Sequence, residues 1–97
     1  MAYRIVYHPE VLDKDLLKLP RNLRSRIHQA IQQRLGTEPS HYGEPLRQTL
    51  KGYWKLRVGD YRVIFQLRDD RVLIIEIGHR KDIYAAPIRR FLWRPTA

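Results

Sequence analysis

The chain has 97 residues and a formal net charge of +9, from 19 lysines and arginines against 10 aspartates and glutamates. It contains no cysteine, which excludes a disulfide framework and a thiolate metal site or nucleophile. No apolar run approaches the roughly 20 residues of a membrane-spanning helix, and no signal peptide precedes the first predicted strand. We therefore expect one cytoplasmic domain over residues 1–97, without metal, cofactor or membrane association.

The positive charge is concentrated in the second half of the chain. Residues 1–44 carry 7 basic and 5 acidic side chains, whereas residues 45–97 carry 12 and 5. Arginine supplies 14 of the 19 cations. Because arginine stays charged and its planar fork matches phosphate, this bias favours nucleic-acid contact. Composition alone equally allows a solvated basic surface.

The first half predicts one strand and two helices. Residues 2–8 alternate between polar and apolar in the pattern of a strand. A first helix follows Pro9, with an apolar stripe of Leu12, Leu16, Leu17 and Leu19. Pro20 breaks that helix, and a second helix runs to Leu35, with an apolar face of Leu23, Ile27, Ala30, Ile31 and Leu35. We predict an αα-hairpin that covers one face of a sheet.

The second half predicts a loop, three strands and a last helix. Residues 37–52 form the loop, with Leu46 and Leu50 turned inward, and a hairpin follows. Residues 71–78 form an interior strand after a turn at Asp69-Asp70. A two-residue turn there would place Glu76 on an apolar face, which favours a bulge or a longer turn. The last helix runs from Asp82 through Arg90 unless Pro87 shortens it.

The predicted order is β-α-α-β-β-β-α, which indicates an α+β fold. The sheet is small and mostly antiparallel, the αα-hairpin packs on one face, and a short helix ends the chain. We expect the other face of the sheet to be uncovered and cationic.

The hairpin carries the strongest local signal. Trp54, Leu56 and Val58 share one face of its first strand, and Lys55 and Arg57 share the other. Gly59-Asp60 supplies the turn, which places Arg57 opposite Arg62. Like charges directly opposite each other are destabilising, so we interpret this face as one that binds an anion, namely RNA phosphate.

The run from Leu50 to Val63, followed by Ile77-Gly78-His79-Arg80 and by Ile83-Tyr84, resembles the RelE toxins of the RelE/ParE superfamily of toxin–antitoxin modules. The resemblance implies a RelE-like fold and the toxin of a type II toxin–antitoxin system. It also implies a ribosome-dependent, metal-independent endoribonuclease that cuts mRNA in the A site. In that chemistry the RNA 2′-OH attacks the adjacent phosphate.

The resemblance also implies roles for individual residues. Arg62 and Arg80 would hold the phosphate and the transition-state charge, and Lys55 would stabilise charge or act as a base. Tyr84 would stack on a base or assist proton transfer. His79 occupies the place of a family lysine and could supply acid–base chemistry, whereas Tyr53 stands where the family has a second lysine. The expected RNA-binding residues besides these are Lys51, Arg57 and Lys81.

The sequence leaves two other hypotheses for the function open. One is a ParE-like toxin that inhibits DNA gyrase without nuclease activity, and the other is an inactive nucleic-acid-binding remnant. Either toxin reading implies a cognate antitoxin as partner, through which any contact with operator DNA would be made. The nuclease reading adds the ribosome, with its rRNA and mRNA, as a partner.

Overall fold

The structure is a computed structural model that describes residues 2–46, 52–83 and 86–95, without the side chain of Ile88. The elements are, in chain order, β1 (Arg4–Tyr7), α1 (a π-helical turn Val11–Asp15 and a 3₁₀ turn Leu16–Lys18), α2 (Arg21–Ala30, continued by the π-helical turn Ile31–Leu35), α3 (Pro39–Tyr42), β2 (Glu44–Pro45), β3 (Tyr53–Val58), β4 (Tyr61–Arg68), β5 (Arg71–His79) and α4 (Ile88–Phe91).

The strands form a five-stranded sheet in the order β1-β5-β4-β3-β2. β1 is parallel to β5, and the other neighbours are antiparallel. The predicted α+β class is confirmed. So is the hairpin register, because Arg57 pairs with Arg62 and Lys55 with Ile64. Gly59 has a φ of +60°, which glycine adopts without the steric cost that a side chain brings.

Of the two predicted alternatives in the β4–β5 hairpin, a bulge or a longer turn, the structure has the bulge. Ile64 pairs with Glu76 but Phe65 pairs with Ile74, so Ile75 is one additional residue on β5, as in a β-bulge. The bulge moves Glu76 onto the face of Ile64 and away from the face of Phe65. It also places Ile77 on the same face of the sheet as Phe65 and Ile74.

The helices α1 and α2 cover one face of the sheet, which we call the helix-side face. The predicted inner side of α2 is confirmed, since Ile27, Ala30, Ile31 and Leu35 are buried there. The predicted stripe of α1 is confirmed for Leu19, which is buried, and for Leu16, which packs against this core. It is wrong for Leu12 and Leu17, which are 49% and 64% exposed, because Val11 and Asp15 take the other buried positions.

The structure differs from the prediction in the loop at residues 37–52 and at the start of the last helix. The predicted loop 37–52 contains α3 and the two-residue strand β2, while Leu46 is buried as expected; Leu50 lies outside the described residues. Asp82 does not begin the last helix. It lies in a turn, and α4 begins only after Pro87, whose ring is tolerated at the start of a helix but not inside one.

The second face of the sheet is not uncovered as predicted. A second core forms there from Leu46, Tyr53, Ile64, Leu73, Ile75 and Phe91. The Tyr53 hydroxyl donates to the Phe91 carbonyl oxygen, and the two rings meet edge to face at 5.4 Å. The C-terminal segment, residues 86–95, therefore covers part of this face through α4.

A buried ion pair joins α1 to α4 at the edge of β5. Arg90 Nη1 lies 2.7 Å from Asp15 Oδ2, and both side chains are under 10% exposed. Asp15 Oδ2 accepts the Ile77 N–H at 3.0 Å, and Arg90 Nη1 donates to the Ile75 carbonyl at 3.3 Å. β1 pairs with β5 only as far as Ile74. The ion pair therefore supplies the hydrogen-bond partners that the edge of β5 lacks beyond β1.

Two further contacts fasten the C-terminal segment. Arg89 forms an ion pair with Glu10, and this hydrogen bond is the main reason that the pKa of Glu10 falls to about 2. The Trp93 ring meets the His8 ring edge to face at 4.9 Å. Burial, together with the charge of Arg90, lowers the pKa of His8, so the imidazole in this contact is favoured in its neutral form.

Candidate nucleic-acid interface

Three cations lie on the part of the second face that the C-terminal segment leaves open. Lys55 and Arg57 alternate with Leu56 and Val58, which are buried in the helix-side core, and Arg62 pairs with Arg57 across the hairpin. Strand residues directly opposite each other share a face. We call this surface, made of Lys55, Arg57 and Arg62, the cationic face.

The cations on this face differ in how they are held. Arg57 is ion-paired with Glu44 at 3.2 Å. Arg62 bends over the hairpin turn, and its Nη1 donates to the carbonyl oxygens of Gly59 and Tyr61, each at 2.9 Å. Lys55 is half-buried and has no ion pair with any described carboxylate. Lys55 and Arg62 therefore keep their charges available to an incoming anion.

Arg80 lies at the same end of the sheet as Arg62. Its backbone N–H donates to the Asp60 carbonyl at 2.8 Å, which ties the residue to the hairpin turn. Its side chain is 58% exposed and lies 3.9 Å from the Asp60 carboxylate, a distance at which an exposed pair contributes little. Lys81 follows in the same turn and is exposed.

His79 faces the opposite way from the cationic face. It pairs with Tyr61 in the sheet, and the two rings meet edge to face at 5.3 Å. Tyr61 packs against the helix-side core. The His79 Nδ1 accepts the Lys81 N–H at 3.1 Å. The ring thus holds the turn that carries Arg80 and does not lie beside Lys55.

Two predicted site residues, Lys51 and Tyr84, lie outside the described residues. Ile83, which precedes Tyr84 in the chain, is described. A Cβ on Gly78 would lie 3.7 Å from the Ile83 Cδ1, and Gly78 pairs with Arg62. Ile83 therefore covers β5 on the face that carries the cations.

Sequence reasoning missed Glu44 as the partner of Arg57. The residue lies in a two-residue strand with no hydrophobic alternation, so no periodic signal marks it. It also missed the pairing of Asp15 with Arg90, because the two residues are 75 positions apart.

The described residues contain no group of three histidine, cysteine, aspartate or glutamate side chains that could hold a metal ion. Within the same residues no helix is long and apolar enough to cross a membrane. The chemistry that the described face offers is therefore cationic: an ammonium and guanidinium groups that can bind a phosphate diester and offset charge that develops on it.

Comparison with known proteins identifies related chains. Residues 5–84 match the family described as ParE toxin of type II toxin-antitoxin system, parDE. The chain is 36% identical over 73 residues to the toxin RelG of Mycobacterium tuberculosis, an alignment that covers 73% of this chain and 84% of RelG.

Solved structures with a similar fold include a toxin–antitoxin complex and a toxin in the free state. The toxin–antitoxin complex RelBE2 from Mycobacterium tuberculosis contains a chain with a TM-score of 0.77 and 29% identity, covering 82% of this chain and 100% of that one. A variant of the E. coli toxin RelE in the free state has a TM-score of 0.71 and 21% identity, covering 93% of this chain and 98% of that one.

Proposed function

Since this chain belongs to the ParE toxin family of type II toxin–antitoxin systems, and within the RelE/ParE superfamily is a RelE-type toxin, we propose that it is a ribosome-dependent endoribonuclease that cuts mRNA in the A site. The single observation that carries this proposal is the cationic face. Lys55 and Arg62 share that face with their charges available, beside the turn that carries Arg80.

The proposed reaction is attack of an RNA 2′-OH on the adjacent phosphate, which leaves a 2′,3′-cyclic phosphate and a 5′-OH. Arg62 and Arg80 would bind the non-bridging oxygens, whose negative charge grows in the transition state. Lys55 would stabilise charge or take the 2′ proton, and Tyr84 would stack on a base or pass a proton. A role for His79 in proton transfer requires the RNA to reach round the end of β5.

The test is cleavage of a defined mRNA by the purified protein, with and without translating ribosomes. We expect cuts in the A-site codon only when ribosomes are present, and products that end in a 2′,3′-cyclic phosphate. The Arg62→Gln variant should cleave about 10²–10³-fold more slowly, the loss typical of removing one transition-state donor.

Arg68→Gln is the matched control. Arg68 lies on the same strand and, six residues on, on the same face as Arg62, about 20 Å away. It should cleave at the wild-type rate. Full activity in a folded Arg62→Gln/Arg80→Gln double variant would refute the site. Gyrase-dependent DNA breaks without mRNA cuts would refute the nuclease and support the ParE-like alternative.

A cognate antitoxin is the second part of the proposal. One of the similar solved structures is a toxin–antitoxin complex, and a net charge of +9 favours an acidic, extended partner that folds on binding. Such a chain would cover the cationic face, and operator DNA would be contacted through the antitoxin. Unchanged cleavage at saturating antitoxin would contradict the masking.

A further inference from the structure

Helix α2 and the turn of the β3–β4 hairpin enclose a second cationic region, on the helix-side face. This cleft has a volume of about 200 Å³ and is lined by Arg26, Gln29, Gln33, Arg34, Gly59 and their apolar neighbours. We call it the arginine cleft. No carboxylate is among the described residues that line it.

The two arginines of the cleft are exposed. Neither Arg26 nor Arg34 has an ion pair with another described residue, in contrast to Arg57, which is held by Glu44. Guanidinium groups and side-chain amides together offer many N–H donors and are suited to phosphate oxygens. The composition of the cleft therefore selects an anion.

The arginine cleft is continuous with the cationic face across one residue. The Arg26 Nη2 lies 3.6 Å from the position that a Cβ on Gly59 would take. From the other side, Arg62 Nη1 donates to the Gly59 carbonyl at 2.9 Å. Two guanidinium groups thus flank the same turn, and at Gly59 no side chain is added to the backbone that lies between them.

We propose that the arginine cleft binds backbone phosphate of RNA, in continuation of the strand held on the cationic face. Arg26 and Arg34 are then RNA-positioning residues that touch no reacting atom. RNA is favoured over an acidic protein because a stable protein interface needs an apolar or aromatic anchor. The side chains at the mouth of this cleft are polar. The inference rests on the proposed function for the identity of the strand.

The test measures binding and cleavage separately. The probe is a short fluorescent 2′-O-methyl oligoribonucleotide, which lacks the attacking hydroxyl and stays intact. Binding to the full chain is titrated at several salt concentrations for the wild type and for Arg26→Gln/Arg34→Gln. Arg21→Gln is the control, because Arg21 is an exposed arginine of the same helix that lines a different groove. Circular dichroism confirms that each variant is folded.

Loss of two phosphate contacts should weaken binding at low salt and make the slope of log K against log salt shallower by about 1.4 (about 0.7 per contact on a single strand). The control should match the wild type. Equal slopes in the double variant and the control would overturn the proposal, as would a wild type that shows no salt-dependent binding. Binding of poly-glutamate but not RNA at these arginines would overturn it too, and would assign the cleft to an acidic protein.

The two proposals can fail independently. Suppose that Arg62→Gln/Arg80→Gln still cleaves mRNA while the double cleft variant shows a shallower slope of log K against log salt. The catalytic assignment is then wrong, and RNA binding by the arginine cleft is supported. If the slope is unchanged while Arg62→Gln loses cleavage, the cleft fails and the nuclease stands. In the ribosome assay the double cleft variant should raise the KM for cleavage and leave kcat unchanged, as expected for a group that binds ground state and transition state alike.

Discussion

The buried pair of Asp15 and Arg90 makes a prediction that separates two physical roles. In many proteins a buried ion pair can be replaced by apolar residues without loss of stability, because the cost of desolvating the two charges offsets their mutual attraction. Here both partners also bond to the backbone of β5, Asp15 to the Ile77 N–H and Arg90 to the Ile75 carbonyl. Replacing the pair with apolar residues therefore also leaves the Ile77 N–H and the Ile75 carbonyl buried without these hydrogen-bond partners.

The expected magnitudes follow from these contacts. Arg90→Met leaves the Asp15 carboxylate buried without its counter-ion and should cost about 3–5 kcal/mol. The double variant Asp15→Leu/Arg90→Met removes both charges but leaves the two backbone groups without partners, at about 1–3 kcal/mol each. We expect it to lose about 2–6 kcal/mol. A domain of this size then melts about 4–8 °C lower for each kcal/mol lost.

The assay is urea unfolding followed by circular dichroism, with Asp15→Asn as a further variant that keeps an oxygen for the Ile77 N–H. Arg21→Gln is the surface control, because Arg21 is exposed and has no ion pair with another described residue, so it should change the midpoint little. Wild-type stability in the double apolar variant would refute the reasoning. It would mean that the edge of β5 finds other partners and that the pair contributes only its mutual attraction.

Three further predictions test other parts of the molecule. The stability difference between wild type and Glu10→Gln should be constant above pH 4.5 and vanish towards pH 2, because the folded protein holds the pKa of Glu10 at about 2; a difference that persists at pH 2 in urea titrations contradicts the ion pair with Arg89. Gly59→Ala should cost about 1–2 kcal/mol by thermal unfolding, because its φ is +60°, and an unchanged melting temperature argues against that backbone. Val11→Ala should cost about 1.5–3 kcal/mol, whereas Leu17→Ala should stay within about 0.5 kcal/mol; the reverse order would restore the apolar stripe predicted from sequence.

The features that sequence predicted correctly depend on neighbours along the chain. The hairpin register follows from period-two alternation and from one glycine turn, so that the pairing of Arg57 with Arg62 could be predicted without any tertiary information. An irregularity before Glu76 could also be predicted, because a plain two-residue turn would place its carboxylate on an apolar face, but the sequence left a bulge and a longer turn as alternatives. Each of these arguments uses residues within one or two strands.

The features that sequence missed depend on contacts between distant residues. A charged residue such as Asp15 is expected to face solvent. It is buried here because Arg90 and the open edge of β5 supply the partners that its carboxylate needs. Once Asp15 turns inward, Val11 and Leu19 follow it at helical spacing, and Leu17 is left outside. The covering of the second face was missed for the same reason, since it requires α4 to return over Tyr53.

Tyr53 connects this covering to the chemistry. It stands where the resemblance to RelE toxins expects a second lysine, and its hydroxyl donates to the Phe91 carbonyl beneath α4. The position that would bring another cation to the RNA thus anchors the C-terminal segment instead. His79 does not replace that cation directly, because its ring pairs with Tyr61 on the helix-side face. The charge available to a phosphate on the described cationic face then comes from Lys55 and Arg62, with Arg80 at its end. Under the proposed function, the two arginines of the arginine cleft, on the other side of Gly59, add guanidinium groups for the same RNA strand.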